Sequence, residues 1–99
     1  MKSLELIRKN IDEIDEEMRV LFEKRMGCIK EVAEYKFKNN EKLFDPKREE
    51  IIIEKNIKLL KNEEYNIAYV IFIHVLMDSS KEFQKEWMKF QEAKKRGNL

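Results

Sequence analysis

Apolar residues recur at steps of three and four along the first third of the chain. They occupy positions 4, 7, 11, 14, 18 and 21, then 28, 32 and 35, and Arg25 alone breaks the series. This spacing places its members on one face of an α-helix and predicts a helix over residues 4–38. Such a helix is roughly 50 Å long, whereas a compact monomer of this size has a radius of gyration of only about 13 Å. We therefore expect it to lie against a second chain.

Two further helices follow from turn and capping residues. Asn39-Asn40 marks a loop, and Asp45 before Pro46 is a typical helix start, because Asp caps free backbone N–H groups and Pro fits the first helical position. The second helix is expected to run to about residue 61 and the third from 67 to about 95. With two glycines and one proline, the chain has little turn chemistry for a β fold. The sequence predicts a single all-α domain over residues 1–99 with a long, a short and a long helix.

Composition narrows the possible partners. Lys and Arg number 21 and Asp and Glu 20, so the chain has no overall field to attract nucleic acid or an anionic membrane. The longest apolar run, residues 67–77, is shorter than the roughly 20 residues that cross a bilayer, and we interpret it as the buried middle of a helix. The first residues lack the apolar stretch of a signal peptide, so a cytoplasmic location is expected.

Two residues that can bind metals are better explained by packing. His74 lies in an apolar segment with no Cys or acidic residue at ligand spacing, which favours a packed or hydrogen-bonded core histidine. Cys28 falls on the apolar face of the first helix, where a small core residue is expected. Neither indicates a metal site.

Eight polar residues interrupt the amphipathic patterns. At about 100° per residue, Arg25 and Lys36 share one face of the first helix and lie about 16 Å apart along it, so they can flank one ligand. Arg8 lies about 25 Å from Arg25 and on another face, so it can reach such a site only from a partner chain. The candidate set is Arg8, Arg25, Lys36, Asp45, Arg48, Glu49, Ser80 and Gln84.

Four of these residues also have a purely structural interpretation. Arg25 can be a snorkelling side chain or half of a buried ion pair with an acid of the second helix. Asp45 can be only a helix cap, and Ser80 and Gln84, one turn apart, can belong to an ordinary surface face. Their joint occurrence favours the functional interpretation, in which arginines bind the carboxylates of a dicarboxylate ligand through their planar forks.

These residues also form motifs that resemble the all-helical class of chorismate mutases over nearly the whole chain. The first helix has an Arg followed by I-D-x-I-D, then an Arg in an E-[RK]-R stretch, then a Lys eleven residues further on; D-x-x-R-E opens the second helix, and the third carries S-x-x-x-Q. The matching residues here are Arg8 with Ile11-Asp12-Glu13-Ile14-Asp15, Glu23-Lys24-Arg25, Lys36, Asp45-Pro46-Lys47-Arg48-Glu49, and Ser80 to Gln84.

The resemblance implies an intertwined homodimer that converts chorismate to prephenate, at the branch to phenylalanine and tyrosine, with no cofactor or metal. It further implies that Arg25 and the Arg8 of the other chain hold the two carboxylates. Lys36 and Gln84 are then expected to donate to the ether oxygen. The remaining roles it implies are support of the carboxylate end by Arg48 and Ser80, and binding of the ring hydroxyl by Glu49 with Asp45 nearby.

The chemistry of a pericyclic step fits these residue types. No proton moves and no nucleophile is needed, so catalysis consists of holding a compact conformer and stabilising charge on the breaking C–O bond. Two alternatives stay open. An isochorismate pyruvate lyase resembles the mutases and shares the cationic residues, but its relatives tend to lack the acid that meets the hydroxyl. A helical dimerisation or regulatory module without activity could use the same charges as structural ion pairs.

Overall fold

The computed structural model describes residues 1–97. It contains three α-helices, with a 3₁₀ turn at Glu63–Tyr65 before the last of them. The expected all-α fold with a long, a short and a long helix is confirmed. The second helix ends at residue 59 rather than 61, and the third begins at residue 66 rather than 67. The helices are α1 (Leu4–Lys38), α2 (Pro46–Leu59) and α3 (Asn66–Lys95).

The end of α1 is a Schellman motif with asparagine in the position that usually holds glycine. Asn40 has a φ of 55°, a left-handed conformation that Asn tolerates better than most residues. The Asn40 N–H donates to Phe37 O at 3.4 Å and the Glu41 N–H to Lys36 O at 2.8 Å, which satisfies two carbonyls of the last turn. The Lys36 ammonium then donates to Leu43 O at 3.0 Å. These bonds turn the chain sharply back towards α2.

The start of α2 has the cap that its sequence predicts. Asp45 Oδ1 accepts from the backbone N–H of Arg48 at 3.1 Å, and Pro46 occupies the first helical turn. This arrangement satisfies one of the free N–H groups at the helix start. Asp45 is therefore a helix cap, whatever else it does.

Helix α3 is the central element, because it packs on both α1 and α2, while α1 and α2 do not pack on each other within residues 1–97. Three side-chain contacts set the register between α1 and α3. Residue numbers rise together along both helices, so the second half of α1 runs parallel to α3. The pairs are Arg25 with Ser80, Ile29 with Gln84, and Phe37 with Trp87, whose rings meet edge to face at 6.0 Å.

Much of the apolar surface stays exposed in the single chain. The apolar face of α1 before Arg25 is 41–62% exposed at Leu4, Ile7, Ile11, Ile14, Met18 and Leu21. The structure is elongated, 61 × 29 × 16 Å, with a radius of gyration of 17.7 Å, against about 13 Å for a compact chain of this length. The apolar face of the first half of α1 thus stays largely uncovered within residues 1–97.

Three expectations about burial were wrong. The run over residues 67–77 is not buried throughout: Ile73 and Met77 are buried, but Ile71 and Val75 are exposed, because only one face of α3 meets the rest of the chain. Cys28 is exposed rather than part of the core. His74 is also exposed on α3, although its Nδ1 is hydrogen-bonded to the Val70 carbonyl at 2.7 Å. Among residues 1–97, no helix combines the length and the apolar character needed to cross a membrane.

Candidate active site

Arg25 is held at the α1–α3 contact by a serine. Its Nη1 donates to Ser80 Oγ, and Ser80 Oγ in turn donates to Leu76 O at 2.9 Å. Ser80 is only 4% exposed, so the interpretation that it belongs to an ordinary surface face is wrong. Burial lowers the pKa of Arg25, but a guanidinium starts so far above neutrality that it stays charged. The contact fixes a partly desolvated cation between two helices.

Gln84 lies one turn further along the same face of α3. It is 7% exposed, and its Nε2 donates to Ile29 O at 3.2 Å. An amide nitrogen has two N–H groups, so this bond orients the side chain and leaves a second donor. Two adjacent turns of α3 therefore present one buried hydroxyl and one buried amide towards α1.

Lys36 is half-buried in the last turn of α1. Its ammonium has three donors, of which one binds Leu43 O. Lys36 also lines an open depression of about 730 Å³ together with Asp45 and Phe44 at the start of α2. The α1–α2 connection thus brings this lysine to the cap of α2.

Glu49 of α2 forms an ion pair with a residue that the sequence did not single out. Glu49 Oε1 lies 3.0 Å from Lys81 Nζ on α3, and Lys81 lies 3.5 Å from Asp78. The hydrogen bond to Glu49 is the main cause that raises the pKa of Lys81, and burial opposes it. Glu49 and Lys81 line an open groove of about 900 Å³ between α2 and α3.

Lys81 was missed because no spacing rule links it to α2. The only available signal was a lysine directly after Ser80, inside the motif that ends at Gln84, and a lysine there is ordinarily a solvated side chain. Its partner Glu49 is 32 residues away in sequence. Only the packing of α2 on α3 makes the pair.

Two candidate residues are not brought to these contacts. Arg8 is exposed in the first turns of α1, about 25 Å along the helix from Arg25. Arg48 is exposed in the first turn of α2, and its side chain makes no hydrogen bond or ion pair within residues 1–97. Within one chain, neither side chain forms a hydrogen bond or an ion pair with the residues around Arg25.

Within the described residues, no acid forms an ion pair with the cations of α1. Within residues 1–97, neither Arg25 nor Lys36 has a carboxylate within ion-pair distance, so the interpretation of Arg25 as half of a buried ion pair is wrong. Arg25 uses one of its five N–H donors on Ser80, and the others suit a planar carboxylate. The arrangement provides fixed cations and one oriented amide, which are donors of the kind that suit carboxylate groups.

The fold is all-helical, and two cations of α1 that have no acidic partner within residues 1–97 lie beside or near the buried polar face of α3. Comparison with known proteins gives the family. A family model described as chorismate mutase type II matches residues 7–85, a range that contains all eight candidate residues. The chain therefore belongs to the chorismate mutase type II family.

Two curated relatives agree with this assignment. The chorismate mutase of Methanocaldococcus jannaschii is 37% identical over 90 residues, which cover 89% of this chain and 90% of that protein. The bifunctional chorismate mutase/prephenate dehydratase of Buchnera aphidicola subsp. Schizaphis graminum is 36% identical over 63 residues, 64% of this chain and 16% of that protein. No solved structure matched the chain.

The Arg25–Ser80 contact makes a stability prediction. Replacing Ser80 with Ala leaves a partly buried guanidinium N–H without its acceptor, and we expect the free energy of unfolding to fall by about 1–3 kcal/mol. Denaturant unfolding followed by circular dichroism measures this. Ser79→Ala, the same change one residue away, is the control and should cost clearly less. Equal losses for the two variants would show that the hydroxyl of Ser80 has no special role.

Proposed function

We propose that this chain is a chorismate mutase, an isomerase that rearranges chorismate to prephenate in the synthesis of phenylalanine and tyrosine. Membership of the family supports the reaction. The observation that carries it in the structure is Arg25: a partly desolvated cation with no acidic partner within residues 1–97, oriented by a buried serine. Such a cation is expected where an anionic ligand supplies the missing charge.

In the proposed mechanism, the side chains bind and orient the substrate without exchanging protons with it. Arg25 holds one substrate carboxylate, and Arg48 and Ser80 support that end. Lys36 and Gln84 donate to the ether oxygen, where negative charge grows as the C–O bond breaks. Glu49 accepts from the ring hydroxyl, and Asp45 lies near it. The bound chair-like conformer brings the two carbon atoms that form the new bond together.

We further propose that the active form is an intertwined homodimer. The exposed apolar face of α1 and the elongated shape support a second copy as the covering surface. In this arrangement the start of α1 lies beside the middle of the other chain's α1, so Arg8 enters that chain's site and holds the second carboxylate. Each dimer then has two sites, each built from two chains. A cytoplasmic location stays a prediction from sequence.

The reaction is tested by the loss of chorismate absorbance on addition of purified protein. Prephenate is assayed as phenylpyruvate after acid treatment, and salicylate fluorescence is followed in parallel with isochorismate as substrate. We expect phenylpyruvate from chorismate. Salicylate alone would assign the chain to the isochorismate pyruvate lyases, and no turnover of either compound would leave a structural or regulatory helical module.

Gln84 gives a second prediction, in which the effect on kcat/KM is much larger than the effect on the free energy of unfolding. If its amide donates to the breaking bond, Gln84→Leu lowers kcat/KM by about 10²–10³-fold, whereas loss of one hydrogen bond to Ile29 costs only about 1 kcal/mol of unfolding free energy. Steady-state kinetics and denaturant unfolding measure the two effects. Gln91→Leu, the same change two turns along α3, is the matched control and should leave kcat/KM unchanged.

An amide donates at any pH, so we also expect no acid optimum in wild-type kcat/KM. Gln84→Leu activity close to the wild-type value would contradict the proposed role of the amide. A wild-type rate that climbs steeply below about pH 6 would indicate instead that a protonating group assists the reaction.

A further inference from the structure

The ion pair between Lys81 and Glu49 differs from the other ion pairs in residues 1–97. It joins α3 to α2, with Nζ and Oε1 3.0 Å apart. The other two, Lys81 with Asp78 and Lys89 with Glu86, lie within α3 at a spacing of three residues. Glu49 is thus the acid that a cation from another helix engages.

The position of Lys81 connects the two ends of the site. It directly follows Ser80, and successive residues of a helix point about 100° apart. Ser80 faces α1 and receives the hydrogen bond from Arg25, while Lys81 faces α2 and binds Glu49. One turn of α3 therefore sets both the cation proposed for the carboxylate and the acid proposed for the ring hydroxyl.

Stability does not account for this pair. The Lys81 and Glu49 side chains are 37% and 25% exposed, and ion pairs this open to solvent contribute little to folding. What the pair does control is the orientation of the carboxylate. Lys81 engages Oε1, and Oε2 makes no hydrogen bond within residues 1–97, so one oxygen is anchored and the other can accept from a hydroxyl.

We propose that Lys81 is a positioning residue for the substrate's ring hydroxyl: it anchors Glu49 through Oε1 and thereby orients Oε2 to accept from that hydroxyl. The inference rests on the proposed function. It assigns to Lys81 a role in substrate affinity rather than in the bond changes. The hydroxyl keeps its bonds during the rearrangement, so its contact with Glu49 is similar in the ground state and the transition state. Losing such a contact raises KM and leaves kcat nearly unchanged.

The test is steady-state kinetics on the full chain with chorismate. We expect Lys81→Met to raise KM by about ten-fold while kcat changes by less than about twofold. Lys81→Arg, which retains a cation at this position, should restore most of the affinity. Lys89→Met is the matched control, because it also removes a lysine of α3 that pairs with an acid three residues earlier. It should leave both constants at wild-type values.

A double-mutant cycle with Glu49→Gln shows whether Lys81 acts through Glu49. In the Glu49→Gln background, Lys81→Met should have no further effect on KM. A KM increase that persists there would mean that Lys81 contacts the substrate itself. An unchanged KM in Lys81→Met, or a lower kcat that Lys81→Arg does not rescue, would also overturn the inference. An inactive wild-type chain would instead overturn the proposed function, and this inference with it.

Discussion

The parallel contact between the second half of α1 and α3 is the interaction on which the rest of the structure depends. Along it the chain places Ala33, which is completely buried, and the edge-to-face pair of Phe37 and Trp87. The same contact contains the hydrogen bonds of Ser80 and Gln84 to α1. A shift of one helical turn between these helices would break the packing and separate the polar groups together.

Few side chains are buried in the described part of the chain. Of the five buried residues among residues 1–97, two are polar, and both face α1 from α3. Polar groups in such positions are costly unless they are hydrogen-bonded, and here each has a partner. Ser80 and Gln84 thus occupy part of a small core with polar groups, which supports the proposal that they have a role in the site.

The α1–α2 connection adds the second element of the site. The Schellman turn at Asn40 and the cap at Asp45 fix the path of seven intervening residues, Asn39 to Asp45. As a result Lys36 lies beside the start of α2, and the pair of Glu49 and Lys81 lies across the α2–α3 groove. Arg25 is held where α1 meets α3, whereas Glu49 is held where α2 meets α3. In the proposed site, the carboxylate and hydroxyl ends of the substrate would therefore be held by separate supports.

The sequence predicted the helices well because their signals are local. The spacing of apolar residues, the Asp-Pro start and the asparagines at the turn act within one or two helical turns. Burial was predicted less well: Cys28, His74 and half of residues 67–77 lie on apolar faces that nothing covers within residues 1–97. Periodicity identifies such a face but not what covers it. Lys81 was missed for a related reason, since its pairing depends on how α2 packs on α3.

The proposed completion of each site by two chains is tested most directly by a complementation experiment. Arg8→Ala and Arg25→Ala chains are each expected to be nearly inactive as purified proteins. When the two are unfolded and refolded together, about half of the dimers contain one chain of each kind, and one of the two sites in such a dimer is intact. Activity should therefore return to about one quarter of the wild-type value. No recovery from the mixture, with the refolded wild-type chain active, would contradict the proposal.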